Sequence, residues 1–424
     1  MLKRITDSQI TIQQLEAEIN SAEENSTVYL ETNLTFDLRE DRRFMVGNHV
    51  KRAIVAIERR DIIFDGQGNK IVFRLHQPPI NDGVLFQIGQ KALGTEIRNL
   101  AVEFIYSGQN TPRQVICIRN HAYGAKVSHC KLSMTSESQI NLTVIQNDRL
   151  IETVFDREGD NFVVEGSDLR IRCEPREITL PIYCCGIYND LPNSINIAGN
   201  YIYVMADGNG EKQQSVGIYN NGRFVRITDN NIKANGFHME GSSLDHPHVV
   251  GVLNEGDYLL FGTNNCLAEW GGKAVGLENR GSFCSYCGNK LIATHTVYGI
   301  SVYNAGEENN FVGNIITSTS RNPRLIVNTG NGVGFQSNVL RAFYFVPDCG
   351  SGCGMLFENC NDCAAINNRI YGVKNCGIMQ MESDVTLSQN VIEEQKQDWA
   401  FSSIATEQDS EIVKALSEAK IVSE

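Results

Sequence analysis

The sequence predicts an all-β solenoid of stacked coils, and three observations carry that prediction. One phrase recurs at a fixed interval: Gly251-Val-Leu-Asn254-Glu-Gly256, Gly276-Leu-Glu-Asn279-Arg-Gly281 and Ser301-Val-Tyr-Asn304-Ala-Gly306, with 25 residues between successive Asn. A second phrase lies between the copies: Thr263-Asn264-Asn-Cys-Leu267, Cys287-Gly-Asn289-Lys-Leu291 and Val312-Gly-Asn314-Ile-Ile316. Each period thus holds two short aliphatic or β-branched runs that stop at Asn or Gly, residues that accept the left-handed conformation a tight turn needs.

Both phrases extend outward. Gly186-Ile-Tyr-Asn189, Gly217-Ile-Tyr-Asn220, Leu325-Ile-Val-Asn328 and Met355-Leu-Phe-Glu-Asn359 fit the first. Gly199-Asn200, Asp229-Asn230, Ser337-Asn338, Asn367-Asn368 and Gln389-Asn390, each followed by an aliphatic pair position, fit the second. Over roughly residues 50 to 392 this pattern resembles the right-handed parallel β-helix of the pectin-lyase-like superfamily. The resemblance implies architecture and leaves the chemistry open, because one fold hosts many functions.

In chain order, residues 1–48 are expected to cap the stack. Ile12, Leu15 and Ile19 have helical spacing, Thr11 is a suitable N-cap, and a first strand follows at Ser26 to Glu31. In the superfamily a short helix of this kind plugs the open N-terminal end. Asp65, in Asp61-Ile-Ile-Phe-Asp65-Gly-Gln-Gly, resembles a structural turn of that superfamily. The coils occupy 49–395. Between Cys130 and Asn200 the second phrase is delayed to 70 residues, so 135–177, with its alternating pattern, is expected to be a protruding β excursion. Residues 396–424 are expected to form a helical tail over the last coil, whose open edge needs cover.

A net charge of −13 argues against nucleic acid and other polyanions as partners. No run approaches the ~20 apolar residues of a membrane span. Thirteen Cys at scattered spacings, behind an N-terminus without an apolar signal core, suggest reduced thiols and a cytoplasmic location. The pairs Cys284/Cys287 and Cys360/Cys363 are spaced like metal ligands, but stacked strands bring such residues together anyway, so no metal and no cofactor is expected.

Stacking at ~4.8 Å per coil converts the period into columns. Val252, Leu277 and Val302 should point inward beside an outward column of Gly251, Gly276 and Ser301. The next outward column would be Tyr188, Tyr219, Leu253, Glu278, Tyr303, Val327 and Glu358. Tyrosines with an acid among them suit sugars, whose C–H faces stack on rings while their hydroxyls meet carboxylates. The same arithmetic stacks Asp245 with Trp270 and His295, His248 with Lys273 and Tyr298, and Glu255 with Arg280. His246, His248, His295 and Trp270 therefore gather near Glu255, Glu269 and Glu278. Glycoside chemistry needs two carboxyl groups, one protonated and one ionised. Asp245 and Glu255 bracket one strand, and Glu278 lies one coil further on. Lys273 and Arg280 would hold one carboxylate ionised, and His246, His248, Glu269, Trp270, His295, Tyr219 and Tyr303 would contact substrate. Each residue also has a plainer reading: Glu255 over Arg280 as a surface ion pair, Trp270 as packing.

The segment Asp245…Val249-Val-Gly-Val-Leu-Asn-Glu255-Gly-Asp-Tyr, with Cys284-Ser-Tyr-Cys-Gly-Asn-Lys-Leu291, resembles the inulin fructotransferases and difructose-anhydride hydrolases over about 50 residues. That resemblance implies a trimeric β-helix enzyme with an Asp/Glu pair and no cofactor. Three classes remain at this stage: a hydrolase or transglycosidase on a neutral oligosaccharide, a lyase or epimerase on a uronate, and a non-enzymatic β-helix such as a fibre or adhesin.

Overall fold

The computed structural model describes residues 2–38, 53–79, 81–148, 161–176, 179–190, 195–206, 214–236, 248–344, 351–394, 402–410 and 412. The chain forms two compact units, Met1–Gly208 with Gly217–Arg226, and Asn209–Val216 with Ile227–Glu424. Each is a right-handed parallel β-helix, with neighbouring strands paired in parallel register.

In the first unit a strand precedes the expected start: Leu2–Ile5 pairs with Thr27–Leu30. The helix Ile12–Asn20 has Thr11 as N-cap in a full capping box with Gln14. It buries Ile12, Leu15 and Ile19 and closes the bare edge of strand Ala53–Ile57. Glu16 Oε2 accepts from Ala56 N at 2.9 Å, and Asn20 Nδ2 donates to Ala56 O at 2.7 Å. An edge that would otherwise invite strand addition is thereby satisfied. Asp65 is structural, bonded to Gln67 N (2.9 Å), Arg98 Nε (2.8 Å) and Asn99 Nδ2 (3.2 Å).

Residues 135–177 are not a protruding excursion. Asn141–Asn147, Phe162–Glu165 and Asp168–Cys173 pair in register with strands of the coils before and after them. The missing copy of the second phrase is Gly166-Ser167. Ser167 Oγ accepts from Cys130 N at 3.1 Å, and Ser167 N donates to Asn200 Oδ1 at 2.9 Å. A serine fills the ladder position, so the period continued without its usual letter.

In the second unit one coil is a short strand, a long strand bent once, and a turn. Leu260–Gly262 leads into Asn265–Asn279, and Ser285–Cys287 into Lys290–Asn304, in register at an offset of 25 residues. The bends fall at Trp270 and His295, with φ of 57° and 52°. Two amide ladders run through the interior. Asn254, Asn279, Asn304 and Asn328 pass Nδ2–H to the next Oδ1 at 2.7, 2.6 and 2.7 Å. Asn264, Asn289, Asn314, Asn338, Asn368 and Asn390 form the second, and each Nδ2 there also donates to a backbone oxygen. These groups are sealed from water, so each bond matters more than an exposed one would. Between the ladders Phe261, Tyr286, Phe311, Phe335 and Phe357 stack ring on ring.

Three expectations need correction in this unit. The Gly251, Gly276, Ser301 column faces inward. A Cβ on Gly251 would collide with Cys266 Sγ, and Ser301 is buried with Oγ on Thr317 O at 2.7 Å. Strand pairing skips this column, so the simple in-out alternation fails there. The outward column passes from Val327 to Leu356, not Glu358, because Phe357 takes the ladder place opposite Asn328. Within the proposed helical tail, Ser402–Thr406 is a strand paired with Cys376–Met381; residues 413–424 lie outside those described.

Candidate functional site

The second unit gathers one charged network on the outer face of the strands His248–Asn254, Asn265–Asn279 and Lys290–Asn304. It is built around the ladder residue Asn279. Alternation turns Asn279 into the core, so Glu278 points outward, and Arg280 follows where the chain leaves the strand. Arg280 Nη2 donates to Glu278 Oε1 at 2.7 Å and Arg280 Nη1 to Glu255 Oε1 at 3.0 Å. One guanidinium therefore spans two carboxylates from adjacent coils. His248 Nε2 stands 3.3 Å from Glu278 Oε2, within ion-pair reach but off the angle of a hydrogen bond. Neither atom has a hydrogen-bond partner.

Glu278 is buried although it sits on the outer face. Burial alone would raise its pKa. The charges of His248 and Arg280, with the Arg280 hydrogen bond, outweigh that and hold it at about 2. The group is thus a permanently ionised carboxylate in a low-dielectric place. Glu255 is the more exposed carboxyl of the pair.

The register places His248 beside Lys273 and Lys273 beside Tyr298. Lys273 Nζ lies 6.0 Å from the Tyr303 ring centroid. Just before Lys273 the strand bends, and the bend residues Trp270 and His295 stack at 4.7 Å and 11°. A left-handed backbone is costly for such bulky residues. Two of them kept in that conformation, with Trp270 37% exposed, present a strained aromatic edge at the rim of the charged face.

Glu269 belongs to the strand segment before the bend. There it pairs with Lys233 and accepts from Asn235 Nδ2 at 3.1 Å. No bond printed among the described residues links it to Glu278. Tyr219 belongs to the first unit, where it stacks on Tyr188 at 4.6 Å. Asp245 and His246 lie outside the described residues. Among the described residues no three His, Cys, Asp or Glu groups converge as a metal set, and the Cys are buried except Cys287.

Sequence reasoning missed a related cluster in the first unit. Arg119 Nε and Nη2 donate to both oxygens of Asp148 at 2.7 and 2.6 Å, His121 Nε2 is 3.2 Å from Asp148, and Gln146 Nε2 donates to it at 2.8 Å. Asp148 is held well below the usual carboxylate range: burial opposes this, and His121 and Arg119 outweigh it. The signal was present in the triplets Arg119-Asn120-His121 and Gln146-Asn147-Asp148. Each flanks a ladder Asn, as Glu278 and Arg280 flank Asn279. The first unit also holds a hollow of about 720 Å³ lined by Ser107, Asn110, Glu137, Ser138, Arg176 and others. Its Arg176–Glu137 pair is exposed, so electrostatics and burial, not volume, mark the Glu278 network as the candidate site.

The fold is that of the pectin-lyase-like right-handed parallel β-helices. The A-module of the mannuronan C-5 epimerase AlgE6 of Azotobacter vinelandii superposes with a TM-score of 0.55 at 10% identity, over 91% of this chain and 96% of that one. The DFA-IIIase of Arthrobacter chlorophenolicus A6, solved with DFA-III, gives 0.44 at 9% identity over 96% and 98%. The Streptococcus pneumoniae surface adhesin PfbA gives 0.42 at 11% over 94% and 97%. No family model and no curated protein matches the sequence.

Proposed function

We propose that the protein is a carbohydrate-active enzyme that hydrolyses or transfers a glycosyl unit of a neutral oligosaccharide, with the Glu278 network as its site. The observation that supports this is the pair of carboxylates on one guanidinium, Glu278 buried and ionised, Glu255 exposed, beside the Trp270–His295 stack. Glycosyl transfer needs an acid to protonate the departing oxygen and an ionised carboxylate to take the proton of the attacking hydroxyl or to attack the sugar itself. Glu278 suits the ionised role. Glu255 and Asp245 are the carboxyls offered for the acid. His248 orients Glu278, and Trp270 supplies the ring on which a sugar face stacks.

A neutral substrate is favoured over a uronate by the charge count around Glu278. Arg280 is already occupied by two carboxylates, which leaves Lys273 as the cation to meet a uronate, whereas lyase and epimerase chemistry needs the uronate charge neutralised. A fructose-containing oligosaccharide follows from the sequence resemblance, as do the trimer and the cytoplasmic location. The test is product analysis of the purified protein on fructo-oligosaccharides, a difructose anhydride and an alginate. Turnover of a fructose-containing sugar, lost in Glu278→Gln, is the expected outcome. Turnover of alginate alone would replace this reading with the epimerase or lyase one.

A further inference from the structure

We propose that the segment after Thr406 closes one end of the substrate face, so that the site accepts short oligosaccharides and chain ends and excludes the interior of a long chain. The word oligosaccharide rests on the functional reading above; the closure rests on packing alone.

The register carries the Glu278 column onward through Tyr303, Val327, Leu356, Met379 and Ala405. Register partners in a parallel ladder point the same way, so these four apolar residues lie on the same outer face as Glu278. They are nonetheless 7%, 4%, 0% and 0% exposed. Ile412 is part of their cluster, with Cys353 and Cys376. The last strand shows the cover plainly: Ile404, on the core side opposite Ile378, is 50% exposed, while outward Ala405 is fully buried. The described tail therefore shields the outer face. The chain turns back at once, with Thr406 N on Asp409 Oδ2 at 2.8 Å and Ile412 N on Asp409 O at 3.0 Å.

Tyr303 is the boundary. It packs against the covered cluster and its ring lies 6.0 Å from Lys273 Nζ. A sugar chain running along the face from Glu278 beyond Tyr303 would need the place Ile412 holds. Removing that cover should lengthen the face without touching Glu278, Arg280 or His248.

The experiment uses Ile412→Asp, which sets a charge against the apolar face, with truncation after Gln408 as a second variant should the first fail to fold. Two readouts are taken on wild type and variant. One is maleimide labelling of Cys353 and Cys376, both fully buried in the native chain. The other is kcat/KM on a fructo-trisaccharide and on a long fructan. The expected result is that both thiols become reactive and the long-to-short ratio rises by about tenfold or more, with trisaccharide kcat unchanged. Thiols that stay protected, or thiols that open with no change in the ratio, would overturn the proposal. A wild type inactive on every sugar, with thiols that open in the variant, removes the functional reading and supports the closure.

Discussion

Glu278 and Arg280 are bonded at 2.7 Å on either side of Asn279, a residue whose own side chain donates to Asn304 inside the core. The ladder that holds the coil together thus also aims the two charged groups. Structural and chemical roles alternate residue by residue, and that linkage makes the following outcomes specific.

Glu278→Gln keeps the shape of the side chain and removes its charge. Turnover of the oligosaccharide should fall by at least about 10², the usual minimum for loss of a general base or nucleophile. Glu255→Gln and Asp245→Asn identify the acid by the same assay. Glu278→Gln with wild-type kcat removes this network as the active site.

Acid stability should report the same carboxylate. The folded pKa of Glu278 lies at about 2, below its ordinary 4.5. A depressed folded pKa adds stability above the unfolded pKa, and that stability is lost as pH falls toward 2. The denaturation midpoint of wild type should therefore drop between pH 4.5 and 2 more steeply than that of Glu278→Gln. Parallel curves would show that the ion pairs do not hold Glu278 ionised.

Asn289→Leu leaves the Asn264 and Asn314 ladder groups and Phe261 O without their partner. The loss should be roughly 1–3 kcal/mol, the cost of unsatisfied buried polar groups, read as a shift in urea midpoint at constant slope. An unmoved midpoint would mean that the ladder adds nothing.

Trp270→Gly trades two terms. Glycine accepts φ of 57° without strain, while the stack on His295, worth roughly 0.5–1.5 kcal/mol, is lost. Stability should stay nearly level while KM for the oligosaccharide rises severalfold. A large fall in melting temperature with unchanged KM would make Trp270 a packing residue only.

The interval of 25 residues was enough to define the coil, the two Asn ladders and the columns pairing Trp270 with His295, His248 with Lys273 and Glu255 with Arg280. Periodicity survives in sequence because every coil repeats the same local problem: a turn, a buried amide and an inward apolar residue. The sequence failed where a coil solved that problem with other residues. Ser167 replaced Asn, so a coil at 135–177 read as an excursion. Phe357 replaced Asn, so Glu358 was placed in a column that holds Leu356. Gly251 and Gly276 lie where pairing skips a residue, so a buried column read as exposed. Only the tertiary structure could show that Glu278 is buried on an outer face, because its burial, its shared guanidinium and its low pKa come from neighbours 25 and more residues away. It also showed that Ile412 returns onto that face: a tail carries no period, and only packing fixes where it lands.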